Sequence, residues 1–125
     1  MRLHSRVFVY GTLRRDQVNH HLLEAARFCG HHTTGPWYKM VSLGSYPGVV
    51  KRGRTRIQGE VYEVGPETMA MLDRLEGYPT LYTRELITTP WGRAWIYLYR
   101  GSLQDRDSIA SGVWRETINR RRWSL

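Results

Sequence analysis

Glu76 stands in the stretch Leu72-Asp73-Arg74-Leu75-Glu76-Gly77-Tyr78-Pro79, at the end of a predicted helix and just before a Gly/Pro turn. A carboxylate there can be held at the mouth of a cleft. The helix dipole disfavours a negative charge at a C-terminal end, so the position calls for a reason. Asp73, three residues back, can share its face. Two neighbouring carboxylates raise the proton affinity of one of them, as partial burial also does. That upward tuning is what a general base needs near neutral pH. Arg74 offsets it if it folds back. Far upstream, Val7-Phe8-Val9 runs into Tyr10-Gly11-Thr12-Leu13, an apolar strand entering a tight Gly turn. Followed by Arg14-Arg15, the turn offers backbone N–H donors backed by positive charge, a cradle for a carboxylate or an oxyanion. A carboxylate and a donor-rich loop suffice for acid–base chemistry on a carbonyl. The plain alternatives are an ordinary helix-end Glu and a simple tight turn.

Other chemistry-bearing residues give weaker patterns. The histidine doublets His20-His21 and His31-His32 lie near Cys29. Adjacent side chains on a helix diverge by about 100°, so neither doublet chelates alone. Structural zinc sites show paired Cys/His spacing that is missing here, and no metal is expected. Nothing near Cys29 marks an activating partner for a nucleophile. There is no Gly-x-Ser-x-Gly elbow and no Gly-rich phosphate loop ending in Lys-Ser/Thr. Residues 93–100 alternate, with Trp95, Tyr97 and Tyr99 on one face and Ala94, Ile96 and Leu98 on the other. Core packing is the default for both faces, and a tyrosine hydroxyl can still line a cleft.

These residues need a scaffold. Residues 6–10 read as a buried strand, and residues 20–28 as a helix carrying Leu22, Leu23, Ala26 and Phe28, with Asn19 as cap. Residues 37–43 are extended, and Ser45-Tyr46-Pro47-Gly48 is a turn. Residues 56–64 read as a strand in which Gly59 marks a bulge or a close backbone approach. Pro66 opens a helix bearing Met69, Leu72 and Leu75, and Gly77 stops it. Residues 82–89 and 93–100 form a hairpin around Pro90-Trp91-Gly92. A short helix is expected around residues 107–111, with fraying beyond Ile118. Hairpin-like joints and few helices favour an α+β domain with a curled, mostly antiparallel sheet.

The chain has 125 residues, the size of one domain spanning residues 1–125, with a core over about 6–100 and a tail over about 101–125. Hydrophobic residues make up 41%, enough to build a core. No apolar run is long enough to span a membrane. Cys29 is the one cysteine, so no intrachain disulfide forms, and the expectation is a cytoplasmic protein. The net charge of +8 favours anionic partners. It concentrates in Arg52, Arg54 and Arg56 and in Arg120, Arg121 and Arg122; a solvated surface is the plain reading, an acidic substrate portion or weak nucleic-acid contact the sharper one.

Four segments in order, Val9-Tyr10-Gly11-Thr12-Leu13-Arg14, Gly59-Glu60-Val61-Tyr62, Leu72 to Pro79 and Leu81-Tyr82-Thr83-Arg84, resemble the gamma-glutamylcyclotransferase-like superfamily. Ser45-Tyr46-Pro47-Gly48 adds support, and the likeness is closest to small bacterial members and the gamma-glutamylamine cyclotransferases. The resemblance implies a small, mostly antiparallel β-barrel flanked by helices. It implies conversion of a γ-glutamyl amide to 5-oxoproline, in which the substrate's α-amino group attacks its own γ-carbonyl, without cofactor or metal. It assigns Glu76 as general base and Tyr10, Gly11, Thr12 and Leu13 as the loop holding the γ-glutamyl part. It places Tyr82 beside the site, with Tyr97 and Tyr99 as looser candidates. The competing readings are a nucleic-acid or anion-binding module, and a protein that binds a γ-glutamyl metabolite without turning it over. No aromatic-Gly RNA-binding motif supports the former. Oligomeric state is not legible.

Overall fold

A computed structural model describes residues 4–115 of the chain. Seven strands and an α-helix follow one another as β1 (Ser5–Val9), β2 (Arg27–Thr33), β3 (Tyr38–Ser42), β4 (Pro47–Lys51), β5 (Gln58–Val64), α1 (Pro66–Glu76), β6 (Tyr82–Thr89) and β7 (Gly92–Tyr99). Five of the strands make a sheet in the order β2-β5-β1-β7-β6, and β3 pairs with β4 in a separate two-stranded sheet. Every pairing is antiparallel except β1 with β7, where Val7 lies beside Trp95 and Phe8 beside Ile96. This is an α+β architecture. The expected barrel is not closed: β2 and β6 end the sheet and do not pair with each other.

The alternation along the strands explains how an open sheet is stabilised. Phe8, Val61, Ile96 and Leu98 point to one face, where they meet Tyr38, Met40 and Val49 of the β3–β4 hairpin and Trp114. Val7, Val9, Tyr62, Val64 and Tyr97 point to the other, against Leu23, Met69 and Leu72. The expected division of β7 into two faces is therefore found. Both faces are covered, by a hairpin and by a helix, so ring closure is not needed to bury them. Each fully buried side chain such as Phe8 or Leu72 contributes about 1.5–3 kcal/mol.

Several expectations are corrected. The helix over residues 20–28 shrinks to one 3-10 turn, His20–Leu23, and Asn19 makes no side-chain cap there. Phe28 instead enters β2, whose backbone groups are satisfied by β5 across a bulge between Phe28 and Gly30. Pro47 and Gly48, read as turn residues, begin strand β4. Pro at a strand's first residue costs no ladder bond. Gly59 marks a close approach: a Cβ there would lie 2.3 Å from the Val9 carbonyl oxygen. No helix forms around residues 107–111. That segment is a strap tied to β3, with the Ser42 N–H donating to Asp107 O at 2.9 Å and the Ile109 N–H to Met40 O at 2.8 Å. The expected fraying beyond Ile118 and the Arg120–Arg122 cluster lie outside the described residues. Among the described residues no helix is long and apolar enough to cross a membrane.

Candidate active site

Helix α1 begins with Pro66 at its first turn, where an absent N–H is harmless. It lays Met69 and Leu72 on the sheet. Glu76 follows Met69 by seven residues and Leu72 by four, so it shares their inward face. Leu75, expected on the apolar stripe, is instead 41% exposed. The helix ends at once after Glu76. Gly77 adopts the left-handed conformation, φ 65° and ψ 37°, its N–H donating to Arg74 O, while the Tyr78 N–H donates to Asp73 O at 2.9 Å. This paired C-terminal motif satisfies two carbonyls and needs a residue without a Cβ penalty. The chain reverses there, leaving Glu76 as the last helical side chain, aimed into a cleft of about 250 Å³.

All six expected site residues line that cleft: Tyr10, Gly11, Thr12, Leu13, Glu76 and Tyr82. Tyr97 lines it too. Tyr99 does not; it packs edge-on against Tyr82, with ring centroids 5.5 Å apart. Burial pushes the Glu76 carboxyl up from 4.5 to about 7. No described cation or hydrogen-bond donor offsets that desolvation. The sequence pointed to Asp73 as a cause, and the structure corrects this. Asp73 accepts hydrogen bonds from Arg84 Nε at 2.9 Å, Arg84 Nη2 at 3.1 Å and the Tyr97 hydroxyl at 2.7 Å. Its charge is spent on that network. The Arg84 guanidinium is further held between the rings of Tyr78 and Trp95, at 4.5 and 4.2 Å. Arg74 is exposed and plays no part.

Buried phenols fill the inner wall. Tyr10 donates to Tyr97 O at 2.7 Å, and Tyr82 donates to Pro47 O at 2.8 Å. Burial first, and then the nearby acidic groups, push the Tyr10, Tyr82 and Tyr97 hydroxyls well above their ordinary value, so all three stay protonated. Gly11 is pressed against Pro47, whose ring carbons would lie 2.9 Å from an added Cβ. The loop beyond is tied to itself: Asn19 N–H donates to Thr12 O at 2.9 Å, and Asn19 Nδ2 to Thr12 Oγ1 at 2.9 Å. Among the described residues nothing accepts from the Gly11, Thr12 and Leu13 amides. The expected arginine backing is turned away. Arg14 reaches Gly11 O from behind and donates to Trp114 O, and Arg15 lies 4.0 Å over the Phe28 ring.

Sequence reasoning missed Val18, Asn19, Tyr46, Pro47 and Leu81 as cleft residues. Asn19 had a polar signal that was assigned to a helix cap, and the Ser45–Pro47 turn carried a signal of position but not of role. Arg52, Arg54 and Arg56 lie in the loop between β4 and β5, none of them in the cleft. His31 and His32 diverge on β2, each edge-on to a different phenylalanine. Among the described residues no cluster of His, Cys, Asp and Glu is placed to hold a metal.

Residues 7–116 match the family model described as Gamma-glutamyl cyclotransferase, AIG2-like. A Vibrio cholerae protein named "Putative gamma-glutamylcyclotransferase" is 44% identical over 112 residues, covering 90% of this chain and 96% of that one. The gamma-glutamylcyclotransferase family protein YtfP of Escherichia coli is 41% identical over 109 residues, covering 87% of this chain and 95% of its own. The solution structure of Escherichia coli ytfP superposes with a TM-score of 0.74 at 40% identity, over 90% of this chain and 98% of that one. An uncharacterised Pyrococcus horikoshii protein gives 0.78 at 28% identity, over 95% and 97%. The family match runs from β1 through the cleft to the Trp114 strap, and on that extent the chain belongs to the gamma-glutamyl cyclotransferase, AIG2-like family.

Proposed function

We propose that the chain, acting as one domain, cyclises γ-glutamyl amides to 5-oxoproline and releases the amine, with Glu76 as general base. The observation that carries this reading is the unpaired Glu76 carboxyl, pushed up to about 7, in one cleft with the free amides of Gly11, Thr12 and Leu13. A base works best when its pKa lies near the operating pH. The amides receive the γ-glutamyl part through its α-carboxylate. Glu76 takes a proton from the α-ammonium, and the freed amine attacks the γ-carbonyl carbon. The ring C–N bond forms as the carbonyl becomes an oxyanion. Glu76 then returns its proton to the departing nitrogen, the original amide C–N bond breaks as the carbonyl re-forms, and the ring nitrogen gives up its remaining extra proton through Glu76 to the released amine, which leaves as an ammonium. Because nucleophile and electrophile belong to one molecule, no protein nucleophile is required. Holding the substrate folded supplies the entropic advantage of an intramolecular step.

The phenols shape this process without titrating. Tyr82 and Tyr97 wall the cleft beside Glu76, and Tyr10 joins β1 to β7 beneath it. They exclude water around the carboxyl, which keeps its proton affinity high. A lone cysteine fits a cytoplasmic setting. The test is 5-oxoproline release from a panel of γ-glutamyl amines and dipeptides. Release establishes the reaction class. Binding of panel members without release would identify a non-catalytic γ-glutamyl binder and end this reading.

A further inference from the structure

Away from the cleft, the segment entering β3 holds an indole in the open. Trp37 is 65% exposed, the most exposed large apolar side chain among the described residues. It is held in place all the same. Its N–H donates to Gly35 O at 3.0 Å, closing a tight turn about Pro36, whose ring fixes φ. The turn folds the indole back over Gly35. An added Cβ there would lie 2.5, 2.5 and 2.6 Å from three successive ring carbons, so the glycine sits under the ring face and not at its edge. Thr34 anchors the turn. Its N–H donates to Ile57 O at 2.9 Å, and its hydroxyl accepts from the Ile57 N–H at 2.9 Å and donates to Gly35 O at 2.8 Å. One face of the indole thus lies on backbone and the other meets solvent. The loop from β4 to β5 closes on the same turn. The Arg52 and Gly53 N–H groups donate to Trp37 O at 3.0 and 3.2 Å, and Arg56 Nη1 donates to Thr34 O at 3.4 Å. Arg52 takes φ 71°, a conformation uncommon for a residue with a Cβ. Arg52, Arg54 and Arg56 are exposed. Among the described residues none of them pairs with a carboxylate, whereas Lys51 pairs with Glu85 at 2.9 Å.

We propose that this patch binds single-stranded nucleic acid, with a base stacked on the free face of Trp37 and the phosphates on either side met by Arg52, Arg54 and Arg56. An aromatic face beside guanidinium groups suits any sequence, because every base has a π-face and every phosphate a charge. The net charge of +8 draws a polyanion toward the chain. A duplex keeps its bases stacked on one another and offers Trp37 nothing. A lipid surface fits less well: an indole that anchors to a membrane is buried among the lipids, and this one lies flat on backbone. The patch is separate from the cleft. Along the β3–β4 hairpin Tyr38 pairs with Lys51 at the patch end and Ser42 with Pro47 at the cleft end, about 13 Å of strand apart. The expected acidic portion of a substrate therefore does not meet these arginines.

The test is fluorescence anisotropy of labelled single-stranded RNA and DNA of about 12 nucleotides, titrated with the full chain in about 50 to 200 mM salt. Binding to at least one of the two strands is expected, and it should weaken as salt rises. Trp37→Ala should weaken it about fivefold or more at each salt concentration and leave the salt dependence as it was. Trp37→Phe keeps a stacking face and should recover most of that loss, which a merely loosened turn would not allow. Arg52→Gln, Arg54→Gln and Arg56→Gln together should lower the slope of log Kd against log salt by about 2. Absence of binding at the lowest salt overturns the inference. So does binding that Trp37→Ala leaves unchanged, a loss that Trp37→Phe does not recover, a slope unmoved by the arginine changes, or equal affinity for the matching duplex. Tighter binding to phosphatidylglycerol vesicles than to either single strand also overturns it, in favour of a lipid surface.

Discussion

Glu76→Gln should stabilise the protein at high pH and leave it unchanged at low pH. The Glu76 carboxyl is pushed up from 4.5 to about 7 by burial, so the native state holds its proton more tightly than the unfolded chain does. Below about pH 4 both states are protonated, and wild type and Gln variant are equivalent there. As pH rises from 4.5 to 7 the unfolded chain ionises first, and wild-type stability falls through that window. Above pH 7 the loss is complete. At about 1.4 kcal/mol per tenfold change in proton affinity the full displacement amounts to about 3 kcal/mol. Solvent reaching the carboxylate through the cleft mouth reduces this to about 2 kcal/mol. Glutamine keeps the shape and cannot ionise, so it escapes the loss. Urea unfolding of both proteins from pH 4 to 9, at constant ionic strength, reads the difference directly from midpoints and slopes. A gap that opens between pH 4.5 and 7 in favour of Gln is the expected result. A gap that is flat with pH, or that favours Glu at pH 8, would refute the argument that Glu76 is buried without a partner.

Three further outcomes follow from the same contacts. The kcat/KM for 5-oxoproline release should fall about tenfold per pH unit below pH 7 and level off above it, and a flat profile from pH 5 to 9 contradicts a single carboxylate base. Arg84→Met removes both guanidinium bonds to Asp73 and the stacking on Tyr78 and Trp95. The pair is only 16% and 22% exposed, so the loss should be about 2 kcal/mol by urea unfolding, and a change under about 0.5 kcal/mol would mean that the clamp contributes nothing. Gly59→Ala drives a Cβ to within 2.3 Å of the Val9 carbonyl oxygen, a backbone atom with no rotamer to yield. It should cost about 3 kcal/mol or abolish folding, and a near-wild-type urea midpoint would show that β1 and β5 separate freely.

What was legible in the sequence was what local physics dictates. The Val7-Phe8-Val9 run, the Pro66 and Gly77 signals around α1, the β6–β7 hairpin and the alternation along β7 all emerged as read, because each is specified within a few residues. Strand β2 was hidden. Leu22, Leu23, Ala26 and Phe28 mimic a helical face, and Gly30-His31-His32 has little strand propensity of its own. Pairing with β5 overrides both. Strand β4 was masked by Pro47-Gly48, whose turn chemistry is tolerated at a strand's first positions. The six expected residues do line one cleft, but their electrostatics were not legible. Asp73 looked like a like-charged neighbour of Glu76 because its partners, Arg84 and Tyr97, come from strands that only the fold brings near. Val18, Tyr46 and Leu81 escaped notice as cleft residues because they have no common spacing.

The central claim is that Glu76 removes the proton that allows the substrate amine to attack. The most direct measurement is the rate of 5-oxoproline formation by wild type and Glu76→Gln on the best γ-glutamyl amide, with the fold of the variant verified at the same pH. The account predicts that the variant still binds substrate and loses at least about a hundredfold in kcat. A folded Glu76→Gln protein that forms 5-oxoproline at the wild-type rate would contradict it.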